Sequence, residues 1–411
     1  MERVILHSDM NNFYASVECM LKPELKGHPV AVCGATEDRH GIVLAKNYEA
    51  KKYKIQTGEV VWQAKQKCKD LIVVNPHYEH YIKYSKLARE IYSRYTDLIE
   101  PFGMDECWLD VTGSTQLFGT GLEIAEKIRK TIKFELGLTV SIGVSFNKIF
   151  AKLGSDMKKP DAITVIDKDT FKKKIWQLPA SDLLGVGRAT IKKLNYYGIF
   201  TIKDLANTSP DFLKNLLGIN GVLLWKYANG TEKSLVTPND FEVPVKSIGH
   251  GITTVRDLES NNDVWCVILE LIQDIGKRLR EYKKYASGIA ICVRNNELHF
   301  KEWQSKLPQP TNNSLTLAKK AYELFSENYD WNCDIRSVTV RAINLVSEYT
   351  PQQIDLFSET QDIEKMERLD AVVDKLRERF GKDIIKNAVL CQDIGMKPMT
   401  AKLTMPTGMC R

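Results

Sequence analysis

The chain has 411 residues, 43% hydrophobic and 27% charged, which allows two to four domains with separate cores and excludes both a single small module and a disordered segment. Its 58 basic and 52 acidic residues leave a net charge of +6, a surplus that permits a polyanionic partner without requiring one. The nine cysteines include no Cys-x-x-Cys pair, no apolar run is long enough to cross a bilayer, and the start lacks a secretion-signal pattern, so a cytoplasmic protein with reduced thiols and no membrane contact is expected.

Val4 to Asp9 reads as a short apolar strand that ends abruptly in a carboxylate, followed by a short helix from about Asn12. Between Pro23 and Pro76 lies a small mixed region with a strand at Val30 to Cys33 and basic helical pieces around Lys46 to Lys54 and Val60 to Lys69. Tyr81, Tyr84, Ala88, Ile91, Tyr95 and Leu98 recur at three and four residues, which predicts an amphipathic helix stopped by Pro101. A strand-like stretch ending near Val111 comes next, with Asp105 and Glu106 at the turn that leads into it. A helix through Ile124, Ile128, Ile132 and Leu136, a strand at Val140 to Val144, a helix from Asn147 to Met157 and a strand from Ile163 complete an α+β layer.

From about residue 168 the texture becomes helical, with glycine turns at Gly185-Val-Gly187 and Gly218 to Gly221. Residues 168–235 hold 11 basic and 5 acidic residues, so the net surplus is local to this segment. Two prolines mark a linker over 236–245, and mixed patterning returns over 246–348, with strands at Gly288 to Arg294 and Val338 to Ile343 and helices around Val264 to Tyr282 and Thr316 to Glu327. The tail, 349–411, carries Gln353-Ile-Asp-Leu-Phe357 and then a charged helix, Glu364 to Phe380, for which the sequence suggests no function.

Asp9, Asp105 and Glu106 are the acids best placed for chemistry. If their strands share a sheet, the strand ends converge, and clustered carboxylates call for a divalent cation; hard oxygen ligands suit Mg²⁺ and two-metal phosphoryl transfer. Taken singly, Asp9 can cap the helix that follows, Asp105-Glu106 can be a solvated turn, and Asp110 ends its strand. Lys148 and Lys152 share a helix face, which is a solvated face unless a phosphate lies near. Gly185 and Gly187 can present backbone N–H groups to a phosphate or serve as a plain helix cap and turn.

Four ordered blocks resemble the signatures of the Y-family translesion DNA polymerases, nearest their bacterial polymerase IV branch. They are Asp9-Met-Asn-Asn-Phe-Tyr-Ala-Ser-Val-Glu, Asn47-Tyr-Glu-Ala, Met104-Asp-Glu-Cys-Trp-Leu-Asp-Val-Thr and Ala151-Lys-Leu-Gly-Ser-Asp-Met-Lys-Lys-Pro160. The resemblance implies a multidomain right-hand polymerase: a ferredoxin-like palm at 1–19 and 79–167, small fingers at 20–78, a helix-hairpin-helix thumb at 168–235 and an α/β little finger at 246–348. It implies that Asp9, Asp105, Glu106 and the Met10 carbonyl hold two Mg²⁺ ions, and that Tyr14, preceded by Phe13, is a steric gate against ribonucleotides. By the same resemblance Tyr48, Lys51 and Lys159 contact the triphosphate, Lys148 and Lys152 lie near the primer end, and Gly185 and Gly187 meet the DNA backbone. Lys51 stands where many relatives have Arg, losing the bidentate fork, and Ala45 replaces a frequent Thr.

Gln353, Ile354, Leu356 and Phe357 look like the peptide that docks bacterial polymerases on the sliding clamp. The expected protein is a monomer that adds dNTPs to primer–template DNA with low fidelity past damage. A non-catalytic scaffold bridging DNA and clamp is the alternative. A nucleotidyl cyclase is a third possibility, disfavoured by the glycine turns and the clamp-like peptide.

Overall fold

The structure is a computed structural model that describes residues 2–35, 41–241, 243–351 and 360–391. The chain divides into two compact units, the first drawn chiefly from residues up to Val243 and the second from Pro244 onward. The first holds the strands β1 (Ile5–Met10), β2 (Val30–Cys33), β3 (Val43–Lys46), β4 (Ile72–Val74), β5 (Ile99–Phe102), β6 (Glu106–Asp110), β7 (Val140–Ser145) and β8 (Ile163–Ile166). Five of them form a sheet in the order β5-β6-β1-β7-β8, with only the β7–β8 pair parallel.

Strand β1 is buried along its whole length, polar residues included, because both faces of the sheet are covered. Leu6 and Met10 pack with Ile91, Ile124 and Ile128 from the helices Tyr78–Tyr92 and Gly121–Leu136. On the opposite face Ile5 packs with Trp108 and Ala151, and His7 meets Ser155, both partners supplied in part by the helix Lys148–Met157. The period of two along a strand thus sends Ile5, His7 and Asp9 to the face of that helix. Close approach is made possible by glycine: a Cβ on Gly143 of β7 would lie 1.8 Å from the Ala151 carbonyl oxygen, so a larger residue would push the helix off the sheet.

A second, small sheet in the order β3-β2-β4 carries the helices Tyr48–Lys52 and Val61–Lys67 around its own core of Ala31, Val43, Val61 and Ala64. The helical segment from Phe171 to Ala228 closes over Ile175, Leu194, Ile202, Leu213 and Leu224, joined by Phe150 from the helix Lys148–Met157.

The second unit is an antiparallel sheet in the order β11-β10-β12-β9, formed by β9 (Ile248–Leu258), β10 (Lys284–Asn295), β11 (Phe300–Thr311) and β12 (Ile335–Ser347). The helices Asn261–Glu281 and Ser314–Asn328 share one apolar core with it. The helix Thr360–Phe380 is tied to this unit by charge: Arg280 reaches Asp374 at 2.6 Å and Asp370 at 3.3 Å, and Asp370 also accepts the Ser314 N–H at 2.7 Å.

Three features depart from the sequence reading. The helix expected to run to Leu98 ends at Tyr92, and Pro101 lies inside β5, an edge strand where a missing N–H is tolerated. Strands β3, β4, β5, β9 and β11 were not expected from the sequence; all are sheet edges, and β11 exposes half of its residues, so apolar alternation is weak there. Asp9 does not cap the helix Phe13–Leu21, whose N-cap Asn12 makes no side-chain cap bond. The clamp-like peptide Gln353 to Phe357 lies outside the described residues. Seven cysteines among the described residues are free thiols, and no helix among those residues is long and apolar enough to cross a membrane.

Candidate active site

Register brings the acids together. In the β1–β6 pair Asp9 stands opposite Glu106, and the Met10 N–H donates to the Asp105 carbonyl at 2.9 Å. Asp105 sits in the turn between β5 and β6, where Gly103 takes φ +84°, a backbone conformation that glycine adopts without strain.

Two lysines reach this cluster from one helix and the residues just beyond it. Lys152 lies 2.7 Å from Glu106 and 3.7 Å from Asp9, while Lys159 lies 2.7 Å from Asp9. Asp156 holds both ammonium groups from behind, at 3.3 and 2.8 Å. Burial works against the Lys159 charge, but the Asp9 and Asp156 carboxylates outweigh it and raise its pKa above the usual lysine value.

The carboxyl groups respond in opposite directions. Burial pushes Asp9 up to about 7, with Lys159 opposing and the Glu106 charge adding, and burial plus the Glu106 charge push Asp105 up to about 6. Burial acts on Glu106 too, yet the approach of His7 at 3.3 Å and the Lys152 charge hold it below the ordinary carboxylate value. His7 is fully buried and kept neutral, its pKa lowered to about 4 by burial, with Nε2 3.3 Å from Glu106 and Nδ1 2.8 Å from Ser155 Oγ. Such a site favours added positive charge, since clustered carboxylates ionise together only beside cations.

The chemistry of the donor set fits hard divalent ions. Lysine ammonium groups now provide the balancing charge, and among the described residues no group of three acid, histidine or cysteine side chains is gathered tightly enough to grip a metal by itself.

Beside the acids, Tyr14 is half-buried and stacks on Tyr81 with ring centroids 4.2 Å apart and planes 8° from parallel. Tyr81 is fully buried and donates to Glu18 at 2.6 Å, and His77 Nδ1 lies 2.8 Å from the same carboxylate oxygen. Phe13 is buried against both tyrosine rings. In the small sheet Asn47 caps the helix Tyr48–Lys52 and ties it to β2, its Oδ1 accepting the N–H groups of Ala50 and Val30 at 3.0 Å. Tyr48 is half-buried and close enough to Lys159 and Asp9 to feel both charges, and Lys51 lies 5.6 Å from the centre of the Tyr48 ring.

Lys148 takes a different position from Lys152. Its ammonium is 2.6 Å from Glu100 and 4.6 Å from the centre of the Trp108 ring, and the residue is buried. Gly185 takes φ +91° and Gly187 is the N-cap of the helix Arg188–Tyr196, with both glycines exposed. Sequence reasoning missed His7, Ser155, Glu18, Tyr81 and Glu100. Tyr81 stood out only as one member of an apolar helix face, and an isolated buried acid or histidine leaves no periodic signal.

Acids at the end of a central sheet, basic residues packed against them, a small flanking sheet and a helical segment with glycine turns define a nucleotidyl-transferring right-hand polymerase. The family model for the impB/mucB/samB family matches residues 8–156, and that for its C-terminal domain matches residues 245–356. DNA polymerase IV of Acetivibrio thermocellus is 53% identical over 96% of this chain and 99% of its own length. DNA polymerase IV 1 of Bacillus subtilis is 36% identical over 93% of this chain and 92% of its own length. Among solved structures a Y-family DNA polymerase chimera superposes with a TM-score of 0.76 at 24% identity, covering 84% of this chain and 99% of its own. The chain therefore belongs to the impB/mucB/samB family, the Y-family DNA polymerases. It is a translesion DNA-directed DNA polymerase.

Proposed function

We propose that the residues around Asp9 carry out dNTP addition to a primer 3′-hydroxyl, with Asp9, Asp105, Glu106 and the Met10 carbonyl as the holders of two Mg²⁺ ions. The observation that carries this reading is the register that sets Asp9 opposite Glu106, next to Asp105, with Lys152 and Lys159 at 2.7 Å from Glu106 and Asp9. When bound, the ions supply activation of the attacking hydroxyl and neutralise charge on the departing pyrophosphate. His7 and Lys152 keep Glu106 ionised and oriented as an oxygen ligand. With cations held at Asp9, Lys159 would be free to contact the triphosphate together with Tyr48 and Lys51.

Tyr14, held flat by Tyr81, lies under the sugar so that a 2′-hydroxyl would meet its ring. Gly185 and Gly187 face the DNA backbone, where contact carries no sequence information and weakens with salt. Lys148 stiffens the wall of the site through Glu100 and Trp108 and so acts on DNA at one remove. In this reading the enzyme works as a cytoplasmic monomer, with the palm, fingers, thumb and little finger at the boundaries read from the sequence, and the Gln353–Phe357 peptide docks on the sliding clamp through Leu356 and Phe357. Single-nucleotide incorporation by Asp105→Ala and Glu106→Ala enzymes tests the acid assignment; unchanged rates would remove it. Paired Leu356→Ala and Phe357→Ala substitutions should abolish stimulation by the clamp while sparing clamp-free extension.

A further inference from the structure

The helix Val61–Lys67 turns Val61 and Ala64 into the core of the small sheet and leaves Trp62 outside, 58% exposed. Its indole makes no hydrogen bond or ring contact among the described residues. Trp62 borders a cleft of about 650 Å³, lined on its own side by Thr57, Gln63, Gln66 and Lys67 and completed by Arg188 from the helix Arg188–Tyr196. That volume lies within the ~300–1,000 Å³ usual for small-molecule sites. Lys67 is committed to Glu59 at 2.7 Å. Arg188 is exposed and pairs with no acid among the described residues. The groups facing the cleft are therefore one aromatic face, side-chain amides and a guanidinium, with the Glu59 carboxylate offset by Lys67.

We propose that this cleft binds the unpaired template strand ahead of the templating position, with a base stacked on Trp62, its edge beside Gln63 and Gln66, and its phosphate on Arg188. Aromatic faces interleaved with cations recognise single-stranded nucleic acid irrespective of sequence, because every base has a π-face. Bases inside a duplex keep both faces stacked and cannot meet an indole on the protein surface, so the ligand is unpaired. The inference rests on the chain being a template-directed polymerase, whose unpaired strand is the template.

The test measures equilibrium binding of the full chain to primer–template DNAs that share one duplex and carry either a single unpaired template nucleotide or a long overhang. Trp62→Ala is expected to weaken binding of the long-overhang DNA roughly 5- to 100-fold, the worth of one stacked base, and to leave the other DNA unaffected. Trp62→Phe, which keeps a ring on the same backbone, should retain most of the affinity. Wild-type protein should lose a similar factor when the overhang is made abasic, and Trp62→Ala protein should be insensitive to that change. Equal weakening of both DNAs by Trp62→Ala, or weakening of neither, overturns the proposal. Primer extension by the wild type on the same DNAs keeps the two readings apart: extension with no overhang effect removes the cleft and leaves the polymerase standing.

Discussion

The two large sheets of the molecule bury their strands differently. In the first unit β1 is sealed on both faces and still carries His7, Ser8 and Asp9 at 5% exposure or less. In the second unit β12 alternates between buried and partly exposed residues, with its apolar side chains in one core beside two helices. Charge follows burial. Around β1 the acids and lysines form one network in which Asp9 and Asp105 are pushed up and Glu106 is held down, whereas in the second unit the main ion network, Arg280 with Asp370 and Asp374, joins one helix to another. Polar groups sealed into a sheet are costly unless they are paired, so their presence at the end of β1 marks a site. Paired charges between helices are explained by docking alone.

The strongest way to break this comparison is to remove an acid from the sealed sheet. Asp105→Ala or Glu106→Ala should lower single-nucleotide incorporation by about 10³-fold, measured under single-turnover conditions with folding checked by circular dichroism. A smaller but more selective effect is expected at Tyr14→Ala: preference for dNTP over rNTP should fall by at least about ten-fold, read from the ratio of the two kcat/KM values. Lys159→Ala should raise the KM for dNTP by roughly ten-fold with a lesser change in kcat, since a cation on the triphosphate contributes on the order of one charge-assisted hydrogen bond. The second unit should behave in the opposite sense. Arg280→Ala leaves Asp370 and Asp374 without their guanidinium and should destabilise that unit by about 1–3 kcal/mol, seen in thermal unfolding, while single-turnover incorporation stays at the wild-type rate. A loss of chemistry in Arg280→Ala would mean that the helix Thr360–Phe380 is coupled to the active site.

Much of the fold follows from local pattern. The helix through Ile124 and Ile128, the strand at Val140 and the helix ending at Met157 all have strong periodicity, and each is present. Edge strands other than β8 escaped: β11 pairs along only one side and exposes half of its residues, so nothing in its apolar pattern announces it. The helix from Tyr78 illustrates a second limit. Tyr95 and Leu98 continue its apolar spacing, but the chain leaves the helix at Ser93 so that Ile99 can pair with Leu109 in the sheet, and strand pairing overrides a local repeat.

The acids were legible as residues because Asp9 lies near the end of one strand and Asp105 and Glu106 at the turn into another, and the resemblance gave Tyr14, Tyr48 and Lys159 their expected roles. What the sequence by itself determined is the set of elements and the chemistry available: Asp9, Asp105, Glu106, two lysines and an aromatic pair at Phe13 and Tyr14. Only the tertiary structure decided which of these meet. Antiparallel register sets Asp9 opposite Glu106, the glycine contact between Gly143 and Ala151 draws Lys152 onto the acids, and helix packing brings Tyr81 under Tyr14. Electrostatic coupling falls with distance and is strengthened by burial. Both are properties of the packed chain, so a sequence can name the charges while leaving open which lysine, Lys148 or Lys152, faces the site.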